Sequence, residues 1–162
     1  MRRYRIDVRR SPEELRAALG EVTRLHRRRF GGRAAVPLVF EKALEMAGGG
    51  LAARKEAGRV TVRYGRVCDA LRALGRLMGE GAEETADFAE TPRLRMLGIM
   101  IDVSRNGVLT LPAARAYLLR CALMGVNMAV LYAEDTYEVP GESFFGYLRG
   151  RYTAEEMKSL DD

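Results

Sequence analysis

Apolar positions recur along this chain in two rhythms, and the rhythm changes past the middle. In the first half it is amphipathic. "YRIDV" (Tyr4 to Val8) alternates apolar with polar, the pattern of a strand with one covered face. "SPEELRAALGEVTRLHRRRF" carries Leu15, Leu19, Val22 and Leu25 at spacings of three and four, which puts one apolar stripe on a helix. Its start predicts a capping box, with Ser11 as N-cap, Pro12 as first helical residue and Glu14 as reciprocal partner; Gly31 and Gly32 predict its stop. "VPLVF" reads as a strand, "GGGLAARKEAG" as a glycine-rich turn with a short strand, and "RVTVRYG" as an alternating strand. Gly48 to Gly50 lack the Lys-Ser/Thr that follows a phosphate loop and the spaced glycines of a dinucleotide motif, so they read as a turn. "RVCDALRALGRLMG" returns to helical spacing, with Val67, Leu71, Leu74 and Met78 on one side. Residues 1–90 therefore predict a small α+β domain with two helices on one face of a sheet.

The acidic, weakly patterned "EGAEETADFAETPRLR" marks the domain boundary, and Phe88 within it is expected to form a last short strand against the next domain. Residues 91–162 follow a different pattern. "MLGIMIDV" (Met96 to Val103) is almost continuously apolar, as in a strand covered on both faces. "TLPAARAYLLRCALMG" predicts a helix with Thr110 as N-cap, Pro112 in the first turn and Gly125 as its stop. "VNMAVLYA" is a second buried strand, and the loop "EDTYEVPGESFFGYLRGRY" leads to "TAEEMKSLDD", where Thr153 and Glu156 predict a capping box. Strand, helix, strand, loop and helix in this order give a parallel α/β architecture. Two parallel strands cannot cover their own faces, so either a partner protein completes the sheet or the polypeptide is the N-terminal fragment of a longer one; the fragment is the expectation here.

Composition narrows the partners. With 48% hydrophobic and 30% charged residues in 162, the chain is globular rather than disordered or fibrous. No apolar run reaches the roughly 18–20 residues that span a bilayer, and the N-terminus lacks the apolar core of a secretory signal, so the expectation is a cytoplasmic protein with no membrane partner. Cys68 and Cys121 show no CxxC spacing, and His26, the single histidine, stands among arginines. They read as free buried thiols and a non-catalytic imidazole, with no metal site. The net charge of +5 and "RLHRRRFGGR" invite a nucleic-acid reading. Against it, the excess of Arg over Lys alongside Ala and Gly is what a GC-rich coding sequence gives, and Arg24, Arg27 and Arg28 read as the solvated end of a helix, where cations suit the dipole. Nucleic acid is not expected as a partner.

Each of the two apolar strands of the second half ends in a polar cluster: Asp102, Ser104, Arg105 and Asn106 after the first, Glu134 and Asp135 after the second. Ligands of parallel α/β folds meet the carboxyl ends of the strands. Neighbouring strands lie about 4.8 Å apart, so these groups are expected on one rim. An Arg beside carboxylates donates several fixed hydrogen bonds to vicinal hydroxyls while the Asp and Glu accept from them, chemistry that suits a sugar. An ion pair that only closes the rim is the alternative that spacing leaves open. Tyr137, Phe144, Phe145, Tyr147 and Tyr152 load the following loop with aromatic rings, which stack on sugars or pack the loop down.

The stretch "LGIMIDVSRNGVLTLPAARAYLLRCALMGVNMAVLYAEDTYEVPGESFFGYLRGRYTAEEM" resembles the opening of the catalytic barrel of glycoside hydrolase family 20, the β-N-acetylhexosaminidases. The family's first barrel strand runs into a G-h-M-h-D-h-S-R motif (h apolar), matched by Gly98, Ile99, Met100, Ile101, Asp102, Val103, Ser104 and Arg105. The resemblance is specific over about residues 97–157; in layout it covers the whole chain. It implies an accessory α+β domain followed by the first two βα units of an incomplete (β/α)8 TIM barrel. Arg105 would hold the outer hydroxyls of a terminal N-acetylhexosamine, with Asp102 helping to orient it. The family's "HLTDDQ" after the second strand is replaced here by "YAEDTYEV", which leaves the roles of Glu134 and Asp135 open.

The implied activity is exo-β-N-acetylhexosaminidase, retaining and substrate-assisted, with the 2-acetamido oxygen as nucleophile and no metal or organic cofactor. The Asp-Glu pair that serves this chemistry follows the fourth barrel strand, so no catalytic residue falls within these residues and the chain alone is expected to be inactive. The alternatives are another barrel glycosidase, or a non-catalytic carbohydrate-binding or scaffold protein completed by a partner. N-acetylglucosamine against N-acetylgalactosamine, and oligomeric state, stay open at this point.

Overall fold

The structure, a computed structural model, describes residues 3–79, 86–105, 108–147 and 150–161. It divides into two compact units, Met1–Leu97 with Leu119–Asn127, and Gly98–Leu118 with Met128–Asp162. Among the described residues no helix is long and apolar enough to cross a membrane.

Strict alternation builds the first unit. In strand β4 (Arg59–Tyr64), Val60, Val62 and Tyr64 are fully buried while Arg59 and Arg63 face water. Strands β1 (Tyr4–Ile6), β2 (Val36–Lys42), β3 (Leu51–Glu56) and β5 (Phe88–Glu90) join it in the order β1-β2-β4-β3-β5. β1, β2 and β4 run parallel, and β3 is antiparallel to both β4 and β5. Leu38, Phe40, Leu51 and Ala53 share the buried face, where they pack with Leu15, Leu19 and Val22 of helix α1 (Arg16–Leu25) and Ala70, Ala73, Leu74 and Leu77 of helix α2 (Val67–Met78). Each Leu or Val removed from water there contributes about 1.5–3 kcal/mol, so one sheet face carries most of the unit's stability. Leu123, near the end of helix α3 (Leu111–Leu123), joins this core, and Leu119 packs against it.

One buried carboxylate ties the core to its connections. Asp69 accepts from the Gly50 N–H (3.1 Å) at the entry to β3 and from the Arg66 N–H (3.0 Å) at the start of α2. Its other oxygen takes the Arg66 guanidinium at 3.1 Å, and that guanidinium also donates to the Arg95 carbonyl at 3.1 Å.

Several expected details differ. The Ser11–Glu14 capping box does not form: Glu13–Leu15 is a 3₁₀ turn, α1 begins at Arg16, and the Ser11 hydroxyl donates back to the Asp7 carbonyl at 2.9 Å. Glu14 is drawn away by tertiary partners, accepting from Lys42 Nζ (2.9 Å) and the Tyr64 hydroxyl (3.0 Å). α1 ends at Leu25, well before Gly31, because Arg27–Arg29 tighten into a 3₁₀ turn and Phe30 pairs with Tyr4. Leu25 and Val67, expected on apolar stripes, are each 36% exposed. Phe88 does form a short strand, but it packs against the first unit's own core with the Arg76 guanidinium 4.2 Å above its ring. Both cysteines are free; Cys121 is buried and Cys68 only half-buried. Residues 80–85 of the expected boundary lie outside the described residues.

In the second unit, β6 (Gly98–Asp102) and β7 (Met128–Tyr132) pair in parallel. One face of the pair holds Ile99, Ile101 and Leu131, all half-buried. The other exposes Met100 at 70%, Met128 at 38% and Val130 at 39%, so the expectation of strands covered on both faces is not met within these residues. The Thr153–Glu156 capping box does form ahead of α4 (Ala154–Asp161), with reciprocal bonds of 2.9 and 3.1 Å.

Two glycines should respond oppositely to alanine. A Cβ on Gly75, inside α2, would lie 1.9 Å from the Leu123 carbonyl oxygen, whereas one on Gly20, inside α1, would meet nothing within 4 Å. Gly75→Ala is therefore expected to destabilise by about 1–3 kcal/mol, and Gly20→Ala to stabilise by about 0.5–1 kcal/mol through helix propensity. Urea unfolding of the two variants checks the signs.

His26 gives a pH prediction. Burial, then Arg120 and Arg29, hold its imidazole below the usual 6.5. Below pH 6.5 the unfolded chain takes up the proton before the folded one, so stability falls as pH drops from 6.5 toward the depressed native value. His26→Gln should flatten that part of the stability curve, and an unchanged slope would remove His26 as its source.

Candidate functional site

The parallel register of β6 and β7 sets Asp102 directly against Tyr132 at the carboxyl ends of the two strands. Extended chain alternates sides, so Glu134, two residues beyond Tyr132, returns to the same side. Arg105 joins them. Its Nη1 lies 2.8 Å from Asp102 Oδ2, its Nη2 lies 3.8 Å from Glu134 Oε1, and its guanidinium stands 5.7 Å from the Tyr132 ring centre. The Tyr132 hydroxyl is 3.2 Å from the same Glu134 oxygen.

Beneath this group the backbone is fixed by buried polar contacts. The Ser104 N–H and hydroxyl both donate to Asp102 Oδ1, at 2.9 and 2.7 Å, and Ser104 is fully buried. The buried Thr136 hydroxyl donates to the Val103 carbonyl at 2.8 Å, pinning the segment after β7 to the segment after β6. The two Ser104 bonds, then Arg105, hold the Asp102 carboxyl below its usual 3.8, so it is ionised at neutral pH. The Arg105, Asp102 and Glu134 side chains are 66%, 40% and 46% exposed. Ion pairs this open add little to stability. Their arrangement is thus an open rim that offers guanidinium donors and carboxylate acceptors together.

Asp102, Arg105 and Glu134 are brought together as the sequence suggests. Asp135 follows Glu134 on the same segment, and Asn106 lies outside the described residues. Sequence reading missed Tyr132, the aromatic floor under Arg105; the signal was its position two residues before Glu134. It also missed Thr136, whose role depends on a partner 33 residues away.

The aromatic loop divides its labour. Tyr137 and Phe145 meet edge to face at 5.4 Å and 74°. Tyr152 is buried, its hydroxyl bonded to the Leu109 carbonyl. Tyr137 and Tyr152 form a bridge that closes the loop's base, with the Glu138 N–H on the Tyr152 carbonyl at 2.9 Å and the Tyr152 N–H on the Thr136 carbonyl at 2.8 Å. Phe144 and Tyr147 remain 77% exposed.

A cleft of about 240 Å³ in the first unit, lined by Arg66, Asp69, Arg72 and Glu90 among others, is the competing location. Four of its charges pair with one another, Arg66 with Asp69 and Arg72 with Glu90. They brace α2 rather than wait for a ligand.

No protein-family model matches the chain, and no curated protein does. Solved structures do. A glycoside hydrolase family 20 exo-β-N-acetylglucosaminidase from Vibrio harveyi, in complex with N-acetylglucosamine, superposes with a TM-score of 0.68 at 16% identity, over 98% of this chain and 30% of that one. The N-acetyl-β-hexosaminidase of Streptomyces plicatus gives 0.67 at 20% identity, over 99% and 39%. The β-N-acetylhexosaminidase of Bacteroides fragilis NCTC 9343 gives 0.65 at 15%, over 99% and 38%. The chain thus shares the mixed α/β fold of a part of these proteins and spans about a third of their length.

The order of causes at Asp102 is testable. Ser104→Ala should raise the Asp102 carboxyl pKa more than Arg105→Gln does, because the Ser104 hydroxyl bond is the largest single influence, although the N–H bond survives the substitution. Carboxyl carbon NMR titration reads both, and a larger rise in the Arg105 variant would reverse the assignment.

Proposed function

We propose that this polypeptide is the N-terminal part of a family 20 exo-β-N-acetylhexosaminidase, its first unit an accessory α+β domain and its second the opening two βα units of a (β/α)8 barrel. The observation that carries the reading is the Arg105–Asp102–Glu134 group over Tyr132, at the carboxyl ends of two paired parallel strands, where barrel enzymes bind their substrates. The motif from Gly98 to Arg105 and the fold likeness to three hexosaminidases support the same conclusion from independent directions.

The chemistry fits a terminal N-acetylhexosamine. Arg105, held level by Asp102, presents its remaining N–H donors to a pair of adjacent ring hydroxyls, and a planar fork matches two oxygens better than an ammonium would. Asp102 has one oxygen occupied by Ser104 and the other facing Arg105, which leaves that second oxygen a lone pair for a sugar hydroxyl. Glu134 and Asp135 add acceptors just past the end of the neighbouring strand. The open apolar face of Met100, Met128 and Val130 lies on the same side as Asp102 and Tyr132, and in a closed barrel it would become interior, met by side chains of further strands. The acid and the acetamido-orienting carboxylate of the substrate-assisted reaction would come from such later strands; the residues here bind and orient.

Two measurements on the 162-residue chain test this. Saturation-transfer NMR should show contact with N-acetylglucosamine that disappears in Arg105→Ala, and a chromogenic N-acetylglucosaminide should release no aglycone. Sugar contact that survives Arg105→Ala would move the site elsewhere, and measurable hydrolysis would overturn the division of roles.

A further inference from the structure

The positive charge of the chain is concentrated. Residues 1–33 hold eleven arginines and four carboxylates, a surplus of seven, while the remaining residues carry a deficit of two. The fold gathers much of this surplus at one edge of the five-stranded sheet. β1 is the edge strand, and Phe30 bridges to Tyr4 along it, with the Gly31 N–H on the Tyr4 carbonyl at 2.9 Å. Arg3 and Arg5 flank Tyr4 on one side of that bridge. Arg27, Arg28 and Arg29 form the 3₁₀ turn that runs into Phe30, and Arg33 follows it. A Cβ on Gly32 would stand 3.7 Å from Arg3 Nη1, so the two segments adjoin.

Among the described residues none of these six guanidinium groups makes an ion pair; the arginine pairs of this region are Arg10–Asp7 and Arg24–Glu21. Six unneutralised cations on adjoining segments repel one another, and a multivalent anion relieves that repulsion while releasing its own counterions. The half-buried His26 beside this edge already feels the field: after burial, Arg120 and Arg29 are what hold its pKa down.

We propose that this arginine edge docks an acidic glycan, its guanidinium forks binding sulfate or carboxylate groups along the chain. Arginine favours such planar oxyanions because it donates two parallel hydrogen bonds to each. The edge lacks what other polyanions need. Tyr4 is buried and Phe30 half-buried, so no exposed ring is present to stack unpaired bases. The arginines lie on a strand edge and a single turn, not on a helix or ribbon shaped to enter a duplex groove. Leu25, 36% exposed, is a slight anchor beside the apolar face that interfacial binding requires. The preference for a glycan rests in part on the hexosaminidase reading; the charged surface does not.

The test uses the 162-residue chain, a fluorescent heparin oligosaccharide and anisotropy at low ionic strength. Saturable binding is expected, weakening as salt rises. Arg27→Gln/Arg28→Gln/Arg29→Gln and, independently, Arg5→Gln/Arg33→Gln should each weaken it by about tenfold. Arg54→Gln/Arg59→Gln, which removes unpaired arginines outside the edge, and Arg105→Ala should change it less than about twofold. Heparin should also raise the pKa of His26, whose ring gives the chain's single histidine resonance. The proposal is overturned by absence of saturable binding, by an equal loss in the Arg54/Arg59 variant, or by equal or tighter binding of a charge-matched DNA duplex or of phosphatidylserine vesicles. Because Arg105→Ala reports on the sugar rim separately, loss of N-acetylglucosamine contact there leaves this result interpretable.

Discussion

The Asp69 carboxylate is the joint on which the first unit turns. Burying an anion costs several kcal/mol unless it is fully bonded, and Asp69 meets that condition by gathering three things at once: the entry to β3, the first turn of α2 and the Arg66 guanidinium. Removing it would leave Arg66 and the Gly50 N–H without their anion, and the fork that reaches the Arg95 carbonyl would lose its anchor. The single buried sheet face supplies most of the unit's free energy. Asp69 fastens two connections and a guanidinium to one point, which apolar burial, being non-directional, does not do.

The second unit is organised by the opposite rule. Its two strands leave Met100, Met128 and Val130 in water on the side that also carries Asp102 and Tyr132. The rim is nevertheless well formed: Ser104 and Arg105 hold Asp102 through local contacts, and Thr136 on Val103 and Arg105 beside Glu134 tie the two strand ends together. The Asp102 half of the rim, set by neighbours two or three residues away, does not depend on further strands for its orientation.

Much of the fold was legible in the sequence because it depends on periodicity. Alternation in "RVTVRYG" gave β4 and its buried residues, and three-four spacing gave α2. What failed was local signature overruled by distant partners. Ser11 and Glu14 have the spacing of a capping box, yet Lys42 and Tyr64, 28 and 50 residues away, claim Glu14. The reverse happened at α2, where Arg66 is no customary N-cap and the reciprocal partner Asp69 serves a buried network invisible in the local pattern. At the rim, the charged residues announced themselves at strand ends, whereas Tyr132 read as one more apolar strand residue. What it brings to the rim is its face and hydroxyl, and these acquire meaning only once the register with β6 is known.

The bridge between Tyr137 and Tyr152 has an evolutionary consequence. With the loop's base closed by backbone bonds and a buried ring, the chain between those tyrosines can gain or lose residues without disturbing the rim. Each doubling of a closed loop costs only about 0.6 kcal/mol in entropy. Phe144 and Tyr147 thus ride on a segment whose length can change at little cost, while Asp102, Arg105 and Glu134 keep their contacts.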